Sequence, residues 1–177
     1  MLGDAIGCVG FTWAANPACT ELEMLTMDWL VKMTGLPEHF LHSAPGDGGG
    51  VIQGSASESA LVALLAAKSR KLRELGDQES DQKLVAYFSK QAHSCIERAA
   101  LLGHMTMRVV DTDNLFSMRG DALRECVRKD KARGLVPCFV GASFGTTSVC
   151  SFDNIKEIGM MFLWSRSTFR SKRSNFF

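Results

Sequence analysis

One stretch constrains this chain more than any other: Gly48-Gly49-Gly50-Val51-Ile52-Gln53-Gly54-Ser55-Ala56-Ser57-Glu58-Ser59. It reads as a glycine loop, a short apolar strand, a tight turn and then a helix. The glycines permit backbone dihedrals that other residues avoid. Ser55 and Glu58 stand at the S-x-x-E spacing of a capping box. A helical pattern runs from about residue 57 to about 75, with Leu61, Val62, Leu64 and Leu65 on its apolar face. Lys68, Arg70, Lys71 and Arg73 load its last turns in the sense the helix dipole favours, and Gly76 can end it. The amides of Ala56 and Ser57 are then free at a helix start, beside the Ser57 hydroxyl. That arrangement suits an anion, phosphate above all. An ordinary capped helix uses the same residues, so the neighbouring segments decide between the two.

Those segments alternate in type. Residues 84–88, 107–110 and 136–142 are short apolar runs that read as buried strands, and 94–102 and 121–133 carry helical periodicity, ended by Gly103 and Gly134. Alternation with short connections predicts an α/β fold with a mostly parallel sheet flanked by helices. Ligands in such sheets bind beyond the carboxyl ends of the strands. By this reading three segments meet there: 55–57, His93 and the pair Thr146-Thr147. They offer an anion site, a flat ring able to stack on another, and two hydroxyls. Upstream, Asn16-Pro17 opens a helix that Gly35 and Pro37 close, and its stripe of Leu22, Leu25, Trp29, Leu30 and Met33 reads as core packing. His39 and His42 lack a third ligand, so no metal site is expected. Residues 1–15 are rich in glycine and apolar side chains and need burial against preceding chain or a second subunit.

Composition removes whole classes of function. A length of 177 residues allows one domain, and 46% hydrophobic with 22% charged residues is the balance of a globular protein. A net charge of +1 gives no reason to expect nucleic acid as a partner. The six cysteines form no C-x-x-C pair, which fits a reducing compartment. No leader and no membrane-length apolar run is read, so the expected location is cytoplasmic.

The wording of the segments resembles the group II pyridoxal-phosphate-dependent amino-acid decarboxylases, with animal aromatic-L-amino-acid decarboxylases nearest and histidine decarboxylases close behind. The resemblance rests on Gly10-Phe11-Thr12-Trp13, Pro17-Ala18-Cys19-Thr20-Glu21-Leu22-Glu23, the stretch from Gly48 to Glu58, Gln91-Ala92-His93-Ser94, Gly145-Thr146-Thr147 and Cys150-Ser151-Phe152-Asp153. It covers about residues 1–160. It implies part of a fold-type-I, aspartate-aminotransferase-like large domain, a homodimer, and pyridoxal 5'-phosphate as cofactor. It also implies that Ala56, Ser57 and Thr147 bind the cofactor, and that His93 stacks on its ring and serves in catalysis. Val9 and Phe11 match positions that reach across the dimer into the partner's substrate pocket.

The same resemblance marks departures. The family's carboxylate for the pyridine nitrogen and its Schiff-base lysine lie in segments that have no match here, and none of the nine lysines follows a histidine. After Gly159 the text becomes basic and rich in Ser and Phe. Residues 1–159 are therefore expected to form the partial cofactor-binding domain. The stretch 160–177 is expected to be an atypical tail, from a truncated gene model, intron read-through or an alternative exon. The expected function is that of a carboxy-lyase fragment acting on an aromatic L-amino acid (DOPA, 5-hydroxytryptophan, tyrosine or similar), inactive alone. The alternatives are a histidine decarboxylase fragment, or a non-catalytic short isoform that pairs with a full-length subunit. A serine hydrolase built on Ser55 lacks G-x-S-x-G.

Overall fold

The computed structural model describes residues 5, 7, 10, 12–46, 48–76 and 82–161. The chain divides into two units, 1–54 and 55–177.

In the first unit, α1 (Pro17–Thr34) starts as expected: Asn16 Oδ1 accepts the Cys19 amide at 3.1 Å, and Pro17 needs no acceptor at the first position. Gly35 ends it in the left-handed conformation, at φ 67°. The apolar stripe of α1 is not core. Leu22, Trp29 and Met33 are 62%, 62% and 83% exposed, and the helix turns Asp28 and Val31 inward instead. Asp28 is buried because its carboxylate accepts the amides of His42 (2.7 Å) and Ser43 (3.2 Å) and so ties α1 to the segment after the 3-10 turn Glu38–Phe40. Burial acts upward on this carboxyl, but the hydrogen bonds from Ser43 and His42 prevail and hold it below its usual range.

The run Val51-Ile52-Gln53, expected as a strand, joins no ladder. Its Ile52 amide goes to the Glu23 carboxylate at 2.6 Å, and both Val51 and Ile52 are exposed. Without a neighbouring strand, an apolar triplet has no periodicity to satisfy.

The second unit is the α/β body. Helix α2 (Ala56–Leu75) is followed by β1 (Leu84–Ser89), α3 (Ser94–Leu102), β2 (Thr106–Val110), α4 (Gly120–Ala132), β3 (Val136–Gly141) and a helical segment α5 at 155–161. The sheet order is β2-β1-β3, all parallel, with Val85 opposite Thr106 and Leu84 opposite Val136. Between Val85 and Ala86 the β3 register slips, so that Pro137 and Phe139 pair and Cys138 does not. Pro137 has no amide to donate, and a bulge beside it absorbs the loss.

Alternation along β1 sorts the core. Leu84 and Ala86 face α2 and α3 in a cluster with Leu64, Ala99, Ala100, Met105 and Cys138. Val85 and Tyr87 face α4 and α5, with Val110, Met118, Leu123, Val127, Ile158 and Met161. Each of the six β1 residues is buried, the pattern of a central parallel strand.

Burial pushes the Cys138 thiol up to about 11. Its folded-state value is raised, so the stabilisation is whole below the unfolded thiol value and is lost as pH rises through about 11. Urea midpoints taken from about pH 8 to pH 11 are expected to fall more steeply for the native chain than for Cys138→Ala, by at most roughly 3 kcal/mol over the window. Equal slopes would show that the thiol is not desolvated.

Candidate functional site

The site is built at the carboxyl ends of the strands, and the reason is connectivity. Helix α2 feeds the amino end of β1, and its Leu72 and Leu75 pack in the cluster that holds Leu84 and Val136, the first residues of their strands. Its amino end therefore points the other way. Helix α3 runs from the carboxyl end of β1 to the amino end of β2. The two helices pack together, and Leu64 and Lys68 of α2 meet Gly103 just past the end of α3, Lys68 Nζ donating to its carbonyl at 2.8 Å. Counting back at about 1.5 Å per residue puts Ala56 roughly 12 Å above that point and His93 roughly 15 Å above it. The starts of α2 and α3 thus stand at nearly one level. The end of β3 belongs to the same level, since Gly141 lies against the Ile96 side chain in the first turn of α3.

At the α2 start, Ser55 is extended and its Oγ accepts the Glu58 amide at 3.2 Å. The Ser59 amide goes to the Ser55 carbonyl at 3.0 Å. Among the described residues this leaves the amides of Ala56 and Ser57 without an acceptor, and both residues are exposed. The helix begins one residue earlier than the sequence pattern suggests, at Ala56. The donors at this end are backbone dipoles of a 20-residue helix, so an anion is what they can bind.

His93 is the N-cap of α3. Its Nδ1 accepts the Cys95 amide at 3.2 Å, and the ring is otherwise exposed. A nitrogen that accepts cannot carry the proton, so the neutral ring keeps its proton on Nε2 and presents a donor outward. A hydrogen-bonded residue at the helix start is the ordinary reading of His93 from sequence, and the structure gives that role its form: an N-cap at φ −63° and ψ 144°.

The loop after β3 corrects one expectation. Of its two threonine hydroxyls, Thr146 is consumed internally: Oγ1 lies 3.0 Å from Ser151 Oγ and accepts the Ser151 amide at 3.0 Å. Thr147, at the exposed turn, is the one turned out. The loop is closed at its base by Asp153, which is buried. One of its oxygens accepts the Met118 amide and the other the Ser143 amide, each at 2.7 Å. Asp153 also donates its own amide to the Ser143 carbonyl at 2.9 Å. Nothing in the local sequence marked Asp153 for this, because Met118 lies 35 residues away.

The starts of α2 and α3 and the end of β3 share one end of the sheet. The expected substrate-pocket residues Val9 and Phe11 lie outside the described residues. Among the described residues no group of His, Cys, Asp and Glu is arranged to hold a metal ion, and no helix is long and apolar enough to cross a membrane.

This chain is similar to known proteins over almost all of its length. The family model described as "Pyridoxal-dependent decarboxylase conserved domain" matches residues 1–163. The chain is 57% identical to aromatic-L-amino-acid decarboxylase of Mus musculus over 166 residues, which is 90% of this chain and 35% of the relative. It is 54% identical to histidine decarboxylase of Homo sapiens over 167 residues, 90% of this chain and 25% of that relative. Among solved structures, Catharanthus roseus tryptophan decarboxylase in complex with L-tryptophan superposes with a TM-score of 0.83 at 38% identity, covering 94% of this chain and 36% of that one. Oryza sativa TDC with PLP and tryptamine gives a TM-score of 0.81 at 35% identity, covering 92% of this chain and 34% of that one. The chain thus spans a quarter to about a third of the curated relatives it matches. With its parallel sheet, flanking helices and these matches, it belongs to the pyridoxal-dependent decarboxylases, a fold-type-I family whose cofactor is pyridoxal phosphate.

Proposed function

We propose that this chain is part of a carboxy-lyase that decarboxylates an aromatic L-amino acid such as DOPA, 5-hydroxytryptophan or tyrosine to its amine. The observation that carries the reading is the α2 start, where the amides of Ala56 and Ser57 stand open at the strand ends that His93 also occupies. A phosphate fits those donors by charge and by hydrogen-bond type, and an exposed imidazole fits a flat ring beside them. When bound, the cofactor supplies an electron sink for the pair left by departing carbon dioxide.

The chain's own part is binding, orientation and proton placement. Ala56 and Ser57 hold the phosphate, with the Thr147 hydroxyl near the same cofactor. The His93 ring clamps the cofactor face, and its Nε2–H is the proton available to a reacting group. The Cys95 amide keeps that proton on Nε2 by occupying Nδ1.

Substrate choice has a second candidate, histidine, because a histidine decarboxylase matches almost as well as an aromatic-amino-acid enzyme. We read the chain as acting in a homodimer, or pairing with a full-length subunit through residues 1–35; the exposed apolar stripe of α1 supports this. Val9 and Phe11 would face the partner's pocket in that assembly. The cytoplasm suits the thiols of Cys95, Cys126, Cys138 and Cys150, which form no disulfide. We read the cofactor-binding domain as running past residue 159 to the end of α5, because Met161 packs in its core, and the stretch after α5 as the tail. By itself the 177-residue chain holds cofactor only reversibly and releases no carbon dioxide, since none of its lysines follows a histidine as the covalent lysine of the family does.

The test is titration of the purified chain with pyridoxal phosphate and with pyridoxal, then borohydride reduction and mapping. Pyridoxal phosphate is expected to bind at least about tenfold more tightly than pyridoxal, and Ser57→Asp to remove that advantage by setting a charge against the phosphate. His93→Asn, which keeps the cap, should weaken binding without loss of stability. His93→Phe should keep a stacking ring and lose about 1 kcal/mol of stability with the cap. Equal binding of the two vitamers would overturn the phosphate site. One stoichiometric lysine adduct together with carbon dioxide release would overturn the claim of inactivity.

A further inference from the structure

The glycine loop contains a device that the cofactor reading does not use. His42 Nε2 lies 2.9 Å from the Gly50 amide nitrogen and 2.8 Å from the Gly50 carbonyl oxygen. One nitrogen cannot serve both at once. Without a proton it accepts the N–H; with one it donates to the carbonyl. The backbone of His42 is itself anchored, since the Asp28 carboxylate holds its amide and that of Ser43. The ring also lies close against Gly49, at φ 141°, where a Cβ would collide with the imidazole. Gly48 is required for a related reason, because its Cβ would collide with the His39 carbonyl. The loop is thus shaped around one side chain with two binding states.

We infer that His42 is a proton-operated latch on the glycine loop: the singly protonated ring can hold the Gly50 N–H, and the imidazolium releases it and holds the carbonyl. Among the described residues, the titratable groups on the elements that meet this loop are Asp28 and Glu23 on α1 and Glu38 and His39 on the 3-10 turn. Asp28 holds the His42 and Ser43 amides, and Glu23 holds the Ile52 amide. Carboxylates titrate well below the imidazole range. The His39 ring lies tilted against Phe40, and His39 meets Gly48 through its carbonyl, so its ring takes no part in the Gly50 contact.

The experiment is amide exchange by NMR on the full chain, corrected for intrinsic rates, from about pH 8 to pH 5, where an imidazole takes up its second proton. Protection of the Gly50 amide is expected to fall about tenfold across that range, the size of one lost hydrogen bond. The Ser43 amide, held by Asp28, should stay protected and report an intact turn. His42→Gln offers an amide oxygen at every pH, so Gly50 should be protected with a flat profile. His42→Phe should leave Gly50 unprotected throughout, and His39→Gln should keep the native profile. A flat native profile, protection retained in His42→Phe, or a profile abolished by His39→Gln would each overturn the latch.

Discussion

Asp153→Ala is expected to destabilise the chain by about 2–4 kcal/mol, because the amides of Met118 and Ser143 lose their acceptor and each unpaired amide costs roughly 1–3 kcal/mol. Both bonds are 2.7 Å, and Asp153 is only 3% exposed, so water does not replace them readily. Asp153→Asn has one amide oxygen to offer and should fall between the two. The damage is also positional. Asp153 joins the segment before α4 to the base of the loop that carries Thr147, and the isolated bridge between Phe144 and Phe152 closes the same base. Binding of pyridoxal phosphate should therefore weaken in Asp153→Ala even under conditions where the variant is fully folded. An unchanged urea midpoint would mean that the two amides find other acceptors. Unchanged cofactor affinity in the folded variant would uncouple this carboxylate from the Thr147 loop.

Arg108→Met should cost about 3 kcal/mol, the low end of the loss expected when one partner of a buried ion pair is removed. Arg108 of β2 meets Asp130 of α4 in a two-pronged contact, Nε at 3.0 Å and Nη2 at 2.6 Å. Asp130 is 1% exposed and Arg108 a third, which is why the low end applies. Tyr87 stands opposite Arg108 in the sheet register, and burial, aided by the Asp130 carboxylate, pushes its phenol far above the usual range. Removing the guanidinium leaves a carboxylate beside a buried phenol with no countercharge. Replacing both members with apolar residues, Arg108→Met with Asp130→Leu, should return stability to within about 1 kcal/mol of native. A single variant as stable as the native chain, or a double variant no better than the single, would show that the pair does not carry this energy.

Much of this protein is determined by local sequence. The caps of α1 and α2, the left-handed glycines that close them and the strand–helix alternation of residues 84–141 act over a few residues, and periodicity and turn chemistry express them directly. The open amides of Ala56 and Ser57 arise from the same local logic, and the wording of the motifs carried the family. Tertiary structure decided the rest. It turned the stripe of α1 outward by giving Asp28 a loop to hold, and it left Val51 to Gln53 without a strand because no ladder reaches them. It used up the Thr146 hydroxyl, set Asp153 under the Thr147 loop, and placed the His42 ring against Gly49 and Gly50. Each of these is a contact between residues that no fixed spacing relates. A carboxylate or an imidazole reads the same in sequence whether solvated or buried, and only the closing of the chain brings the amides that give it a role.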